Sequence, residues 1–258
     1  MAEALAIEGI DTRLGQAAEW LGCDCAAPHL RFHGVCTAPR TAMPGALFVA
    51  LKGPNHDAHE HLGEAANQGA VAALVEREVD EELPQLVVKD SRIALGDLAR
   101  AWREELGLPL VAITGSNGKT TTKEMTASVL RQAMTTHATA GNFNNHVGVP
   151  LTLLSMHGNE EALVTELGAN HRGEIRKLAR LVAPETSVIT NVAPAHLQGF
   201  GSLDGVLRAK IELFEETDAE GICIWCADNK ALASAVPDNF ANTVSFFLRT
   251  IVSTLLPP

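Results

Sequence analysis

Apolar and polar residues along this chain fall into two successive patterns. In the first 90 residues, short apolar runs are separated by stretches of helical spacing. Thr12–Leu21 has apolar positions three and four apart, which predicts a helix. Gly45-Ala-Leu-Phe-Val-Ala-Leu51 follows a Pro44-Gly45 turn and predicts a buried strand. His61–Gly69 predicts a helix stopped by glycine, Ala70–Val75 a further strand, and Gln85–Lys89 the last strand of this unit. Ser91–Leu106 predicts a connecting helix, capped by Ser91 and ended at Gly107-Leu-Pro109.

From Pro109 the pattern becomes a regular alternation of strand and helix. Strands are expected at Leu110–Ile113, Glu161–Glu166, Ser187–Asn191 and Gly221–Trp225. Helices are expected at Thr121–Ala133, Val149–Leu154, Arg172–Val182 and Leu203–Phe214. That alternation implies an α/β fold with a mostly parallel sheet flanked by helices. The expected division is a small α/β domain over residues 1–90, a central domain over 91–243 and a tail over 244–258. There is no internal repeat and no low-complexity segment.

The first strand of the central domain leads into Thr114-Gly-Ser-Asn-Gly-Lys-Thr-Thr121 and then a helix. Strand, glycine turn, Lys-Thr and helix is the layout of a phosphate-binding loop. Gly115 and Gly118 let the backbone curl so that N–H groups point at an anion, with Ser116 and Asn117 between them. Lys119 reaches the outer phosphates as a mobile charge, and the Thr120 hydroxyl suits a magnesium ion. Ile113 stands where the general G-x-x-x-x-G-K-[ST] pattern has its first glycine. In parallel sheets ligands sit at the carboxyl ends of strands, which brings Glu166, the Asn191–His196 segment and Cys226-Ala-Asp-Asn229 into the same region. A buried Glu166 needs a partner there, either a cation or a structural ion pair. His196 reads as a ligand or as a structural hydrogen bonder.

Charge and cysteine content narrow the function classes. The 258 residues carry a net charge of −11, which argues against a nucleic-acid partner. No apolar run reaches the length of a membrane span, and the Met-Ala-Glu-Ala start lacks the basic residues of a signal peptide. A cytoplasmic location is therefore expected, where disulfides are rare. Cys23-x-Cys25 and Cys223-x-x-Cys226 match no standard zinc finger spacing, and the second pair lies in an apolar run that reads as core. His56, His59 and His61 read as a solvated loop face.

Taken together, the motifs resemble those of the Mur ligases, in particular the branch that adds D-alanyl-D-alanine to a UDP-N-acetylmuramoyl-tripeptide. The resemblance rests on Thr114–Thr121, Thr139-Ala-Gly-Asn-Phe-Asn-Asn-His146, Glu166-Leu-Gly-Ala-Asn-His-Arg-Gly-Glu-Ile175, Ala195-His-Leu-Gln-Gly-Phe-Gly-Ser202, Arg208-Ala-Lys210 and Pro44–Gly53. It runs from about Ala17 to Ala231. It implies an ATP-dependent peptide ligase working through an acyl phosphate. Lys119, Lys210, His196 and Glu166 are then the catalytic set. ATP is held by Gly115, Ser116, Asn117, Gly118, Lys119, Thr120, Thr121 and, at the adenine, Asn229. Two Mg2+ ions are expected, one on Thr120 and Glu166 and one on Glu166, His196 and a carbamylated Lys210. Asn142, Asn144 and Asn145 face the muramoyl-peptide, and Thr37, Arg40 and Lys52 the UDP. A monomer is favoured.

The chain departs from the family pattern at three places. Cys36-Thr-Ala-Pro-Arg40 has Ala38 where an acidic residue is usual, and Cys226 stands at a usual asparagine. Family members continue into a Rossmann-like third domain, whereas this sequence stops at Pro258 after Val244–Pro258, which resembles nothing in the family. The competing expectation is a catalytically incomplete fragment that binds ATP and a UDP-sugar. A regulatory phosphate-loop switch would leave the Asn142–Asn145 motif without a role.

Overall fold

The computed structural model describes residues 6–54, 56–236, 239–240 and 242–247. The chain forms two compact units, one of residues 1–107 with 150–159, the other of 108–149 with 160–258.

The first unit is built on a five-stranded sheet. Its strands are β1 (Ala6–Arg13), β2 (Arg31–Cys36), β3 (Leu47–Val49), β6 (Ala72–Val75) and β7 (Gln85–Val87), in that spatial order. β1 and β2 are antiparallel and the other pairs parallel. A two-stranded ribbon pairs β4 (Lys52–Gly53) with β5 (His56–Asp57). The helices are α1 (Leu14–Leu21), α2 (Leu62–Asn67) and α3 (Ser91–Leu106). Phe48, Ala50, Leu62, Ala65, Ala73 and Val75 are fully or almost fully buried in one cluster. Continuous apolar runs such as Leu47-Phe-Val49 suit strands covered on both faces.

Several local expectations change here. Thr12 and Arg13 end β1, so the helix begins at Leu14. β1 and β2 are absent from the sequence reading, because Ile7 and Asp11 bracket an irregular register that breaks strict alternation. The cap of α3 is Asp90, whose Oδ1 accepts from the Arg92 and Ile93 amides at 2.9 Å each. Ser91 is buried instead and donates to the Ala50 carbonyl at 2.7 Å. That bond ties α3 into the first unit, so the unit extends to Gly107, whose left-handed φ of 59° ends the helix. His59 is buried, not solvated. Its ring lies 2.6 Å from Asp57 through Nδ1, and its Nε2 accepts from the Glu76 amide at 2.8 Å. His56 and His61 stack at 5.3 Å between ring centroids.

The second unit is an all-parallel sheet of six strands flanked by helices. In spatial order they are β13 (Thr243–Phe246), β12 (Ile222–Cys226), β11 (Thr186–Ile189), β8 (Leu110–Thr114), β10 (Ala162–Glu166) and β9 (Thr136–Ala138). The helices are α4 (Lys119–Leu130), α5 (Gly148–Leu154, which leads back into the first unit), α6 (Glu174–Val182), α7 (Leu197–Phe200), α8 (Leu203–Glu215) and α9 (Lys230–Ala235). Ala127 of α4 packs on Ile113, Val164 and Val188 of three adjacent strands. Helix α6 turns Ile175, Leu178, Ala179 and Val182 inward, the i, i+3, i+4, i+7 stripe of an amphipathic helix. β9 and β13 are edge strands too short to read from sequence. Part of the expected tail, Val244–Phe246, belongs to the sheet strand Thr243–Phe246; residues 248–258 lie outside the described residues.

β8 lies in the middle of the sheet. The chain leaves it for β9 on one side and returns through β10, then crosses to β11 on the other side. The carboxyl end of β8 is thus a switch point, with those of β10 and β11 as its neighbours.

Candidate nucleotide and metal site

The glycine loop leaves β8 at this switch point. Gly115 passes so close to β11 that a Cβ on it would sit 1.9 Å from the Thr190 hydroxyl. Gly118 adopts φ 75°, and no side chain caps α4 behind it. A helix start without a side-chain cap leaves backbone donors and the positive end of the dipole for an anion. Lys119 is half-buried and its ammonium donates to the Gly115 carbonyl at 3.1 Å, folded over the loop it would share with phosphate.

The loop is braced from β11. The Ser116 amide donates to the Asn191 carbonyl at 3.1 Å, and the Ser116 hydroxyl and the Ala193 backbone exchange bonds at 2.9 Å. The Asn117 amide donates to Asn191 Oδ1 at 3.1 Å, while Asn191 Nδ2 donates to Asn117 Oδ1. The Thr190 hydroxyl donates to the Asn117 carbonyl at 2.7 Å. Thr190 was not singled out from sequence, and Asn191 entered only as the start of the strand-end segment Asn191–His196. Their only signal is their place at the end of a strand, which becomes informative once β11 is known to lie beside β8.

Glu166 ends β10 and is 2% exposed. Its two carboxylate oxygens take different partners: the Thr120 hydroxyl donates to Oε2 at 2.7 Å and Asn144 Nδ2 donates to Oε1 at 2.7 Å. Among the described residues Glu166 has no ion-pair partner within 4.0 Å. A buried anion whose hydrogen-bond donors are all neutral keeps much of its desolvation cost. Carboxylate and hydroxyl oxygens side by side, next to a glycine loop and an uncapped helix start, suit a hard cation such as Mg2+. The donor set fits that ion, although no cluster of three or more His, Cys, Asp or Glu residues is present among the described residues.

Lys210 lies on α8, 3% exposed, and its ammonium donates to the Thr114 hydroxyl at 3.3 Å. Burial and the Lys119 charge lower its pKa to about 8, against the opposing pull of Glu212, Glu166 and Glu174. The ring of Phe200 lies beneath the ammonium, 5.9 Å from its centroid. His196 meets the same ring edge-on at 6.5 Å, so Phe200 is a common neighbour of two expected metal ligands. The His196 side chain is exposed and its backbone is left-handed at φ 47°, an uncommon state for a residue with a Cβ. Glu212, also on α8, caps α6 from outside by accepting the Gly173 and Arg176 amides. That contact holds the Lys210 helix against the segment that follows Glu166.

The remaining expected residues divide among several places. Asn144 turns inward to Glu166; Asn145 accepts the Val147 and Gly148 amides at 2.9 Å, and Asn142 is exposed. Thr121 is exposed on the first turn of α4. Asn229 caps α9 through the Leu232 amide and donates to the Val192 carbonyl at 2.8 Å, so both ends of its amide are engaged. Thr37, Arg40 and Lys52 all belong to the first unit. Arg40 is 88% exposed and 3.4 Å from Glu64, and Lys52 is exposed on β4. Cys223 and Cys226 are free and buried.

A family model described as the Mur ligase middle domain matches residues 113–250. The chain is 47% identical over 220 residues to the UDP-N-acetylmuramoyl-tripeptide–D-alanyl-D-alanine ligase of Escherichia coli, covering 85% of this chain and 49% of that protein. It is 49% identical to the ligase of the same name from Haemophilus influenzae, covering 76% and 44%. Among solved structures, MurF from Acinetobacter baumannii superposes with a TM-score of 0.87 at 36% identity, over 93% of this chain and 54% of that one. MurF ligase from Thermotoga maritima in complex with ADP gives 0.77 at 33% identity, over 83% and 50%. The chain thus spans about half the length of the relatives it matches.

Proposed function

The chain belongs to the Mur ligase family, and from that premise we propose that it carries the ATP site of a ligase joining D-alanyl-D-alanine to a UDP-N-acetylmuramoyl-tripeptide. The observation that carries this reading is the meeting of Thr120 and Glu166 at 2.7 Å beside the uncapped start of α4. The outer phosphates of ATP lie along the Gly115–Thr121 backbone, and Lys119 exchanges the Gly115 carbonyl for a phosphate oxygen. Thr120 and Glu166 would hold one Mg2+; Glu166, His196 and a carbamylated Lys210 would hold a second. Bound there, the ions neutralise charge on the phosphoryl group in transfer.

The chain's own groups account for the rest of the reaction. The terminal carboxylate of the tripeptide takes the γ-phosphoryl group, releasing ADP and forming an acyl phosphate. The amine of D-alanyl-D-alanine attacks that carbonyl, loses a proton and expels inorganic phosphate as the amide bond forms. Asn142, Asn144 and Asn145 orient the muramoyl-peptide, Thr37, Arg40 and Lys52 the UDP, and Asn229 the adenine. The lowered pKa of Lys210 enlarges the fraction of neutral amine, the form that carbamylation by CO2 requires. On this reading the reaction is cytoplasmic. No described helix is long and apolar enough to cross a membrane. A monomer is the proposed form.

The test is phosphate release by the purified chain with ATP, Mg2+ and both peptide substrates. Release that needs both substrates, and is lost in Lys119→Ala, supports a ligase. No release, with ATP still raising the melting temperature, leaves a nucleotide-binding fragment. Unchanged ATP binding in Lys119→Ala refutes the site.

A further inference from the structure

Lys123 is fully buried on α4, one turn beyond Thr120. Its ammonium donates to the Thr139 carbonyl at 2.6 Å and pairs with Glu124 at 2.6 Å. Taking an ammonium out of water costs several kcal/mol, and a methionine would fill the same space without that cost. What the ammonium holds is therefore informative. Thr139 immediately follows β9, and its amide donates to the Val164 carbonyl of β10 at 3.0 Å. Its hydroxyl accepts the Glu166 amide at 3.1 Å and donates to the Thr165 hydroxyl at 3.2 Å. Directly after Thr139 comes the turn bearing Asn144, which reaches the other oxygen of the Glu166 carboxylate.

Helix α4 thus meets Glu166 twice. Thr120 touches the carboxylate directly, and Lys123 grips the segment that fixes both the Glu166 backbone and the Asn144 turn. We propose that Lys123 is a positioning residue for Glu166, setting the carboxylate against Thr120 at the separation that a shared cation needs. The inference rests on the reading of this site as one for Mg2+ and nucleotide. Lys123 touches neither ligand; it acts through Thr139.

The test is calorimetric titration of the purified chain with ADP, once with MgCl2 and once with EDTA. Wild type is expected to bind ADP more tightly with Mg2+; absence of that difference defeats the site assignment itself, whatever Lys123 does. Lys123→Met is expected to lose about tenfold in affinity with Mg2+ and to match wild type in EDTA, as supporting residues around a metal typically behave. Lys123→Arg should recover part of the loss. Thr139→Val keeps the Lys123 anchor but removes the hydroxyl that accepts the Glu166 amide, and should show the same Mg2+-selective loss. If Lys123→Met does not fold by circular dichroism, Thr139→Val decides. Equal losses with and without Mg2+, or no loss in the folded variants, overturns the proposal.

Discussion

The Thr120 hydroxyl donates to Glu166 Oε2 at 2.7 Å, joining the first turn of a helix to the end of a strand 46 residues later. This bond stands where a cation would share the same two oxygens. Thr120→Val and Glu166→Gln are expected to weaken Mg2+-dependent ADP binding about 10- to 100-fold. Glu166→Gln should at the same time leave the melting temperature of the ligand-free protein unchanged or raised, because it removes a buried charge that, among the described residues, has no ion pair within 4.0 Å. A variant that loses stability and keeps Mg2+-dependent binding would make Glu166 structural.

Gly115 is required by a close approach. A methyl group there would meet the Thr190 hydroxyl at 1.9 Å, with the backbone at φ 155°. Gly115→Ala is expected to destabilise the protein by about 2–3 kcal/mol and to abolish ADP binding. Adding Thr190→Ala should restore part of the stability, since the clash goes while the backbone strain stays. Urea unfolding of the single and double variants measures both effects.

Lys210 gives a pH dependence of definite sign. Its folded pKa is lowered to about 8, first by burial and then by Lys119, from an ordinary value of 10.5. Between those two values the unfolded chain holds more protons than the folded one. Stability therefore rises with pH across that window, by at most about 1.4 kcal/mol per unit. Lys210→Met should flatten the rise and stabilise the ligand-free protein at pH 7, while ending any ligase activity. Unfolding in CO2-free buffer at pH 7 and pH 9.5 checks it; parallel pH dependences in the two proteins would contradict it.

Asp57 works in the opposite direction. Burial pushes its carboxyl up, but the His59 ring, the His59 amide and Arg77 outweigh burial and hold it at about 2, below the ordinary 3.8. Its stabilisation is present above the ordinary value and is lost as pH falls through 2. Asp57→Asn should lower stability by about 1 kcal/mol at pH 6, with the gap to wild type closing as pH approaches 2. Melting temperatures over that range show whether the gap closes.

The glycine loop between β8 and α4 was legible in the sequence because every part of it is local: apolar strand, two glycines, Lys119-Thr120, helical spacing. Glu166 was legible for a related reason, as an acidic residue closing an apolar run. The bracing roles of Thr190, Asn191 and Thr139 were not, since nothing near them in sequence distinguishes a brace from any polar residue at a strand end. His59 was misread because its neighbours His56 and His61 suggested a wet loop, while its own contacts, Asp57 and Glu76, include one from β6's end. The Ser91 cap failed because two capping residues stand side by side, and burial under Ala50 claimed one of them.

By itself, the sequence determined the alternation of strand and helix, the glycine turn after β8 and the chemical types present at strand ends. Periodicity and turn chemistry act over a few residues, so these features need no knowledge of the fold. Tertiary structure decided which side chains meet: Asn144 with Glu166, Asn191 with Asn117, Lys210 with Thr114. Those pairings follow from a strand order in which β8 lies between β10 and β11. Strand order is set by the burial of whole faces at once, and no short window of sequence contains it.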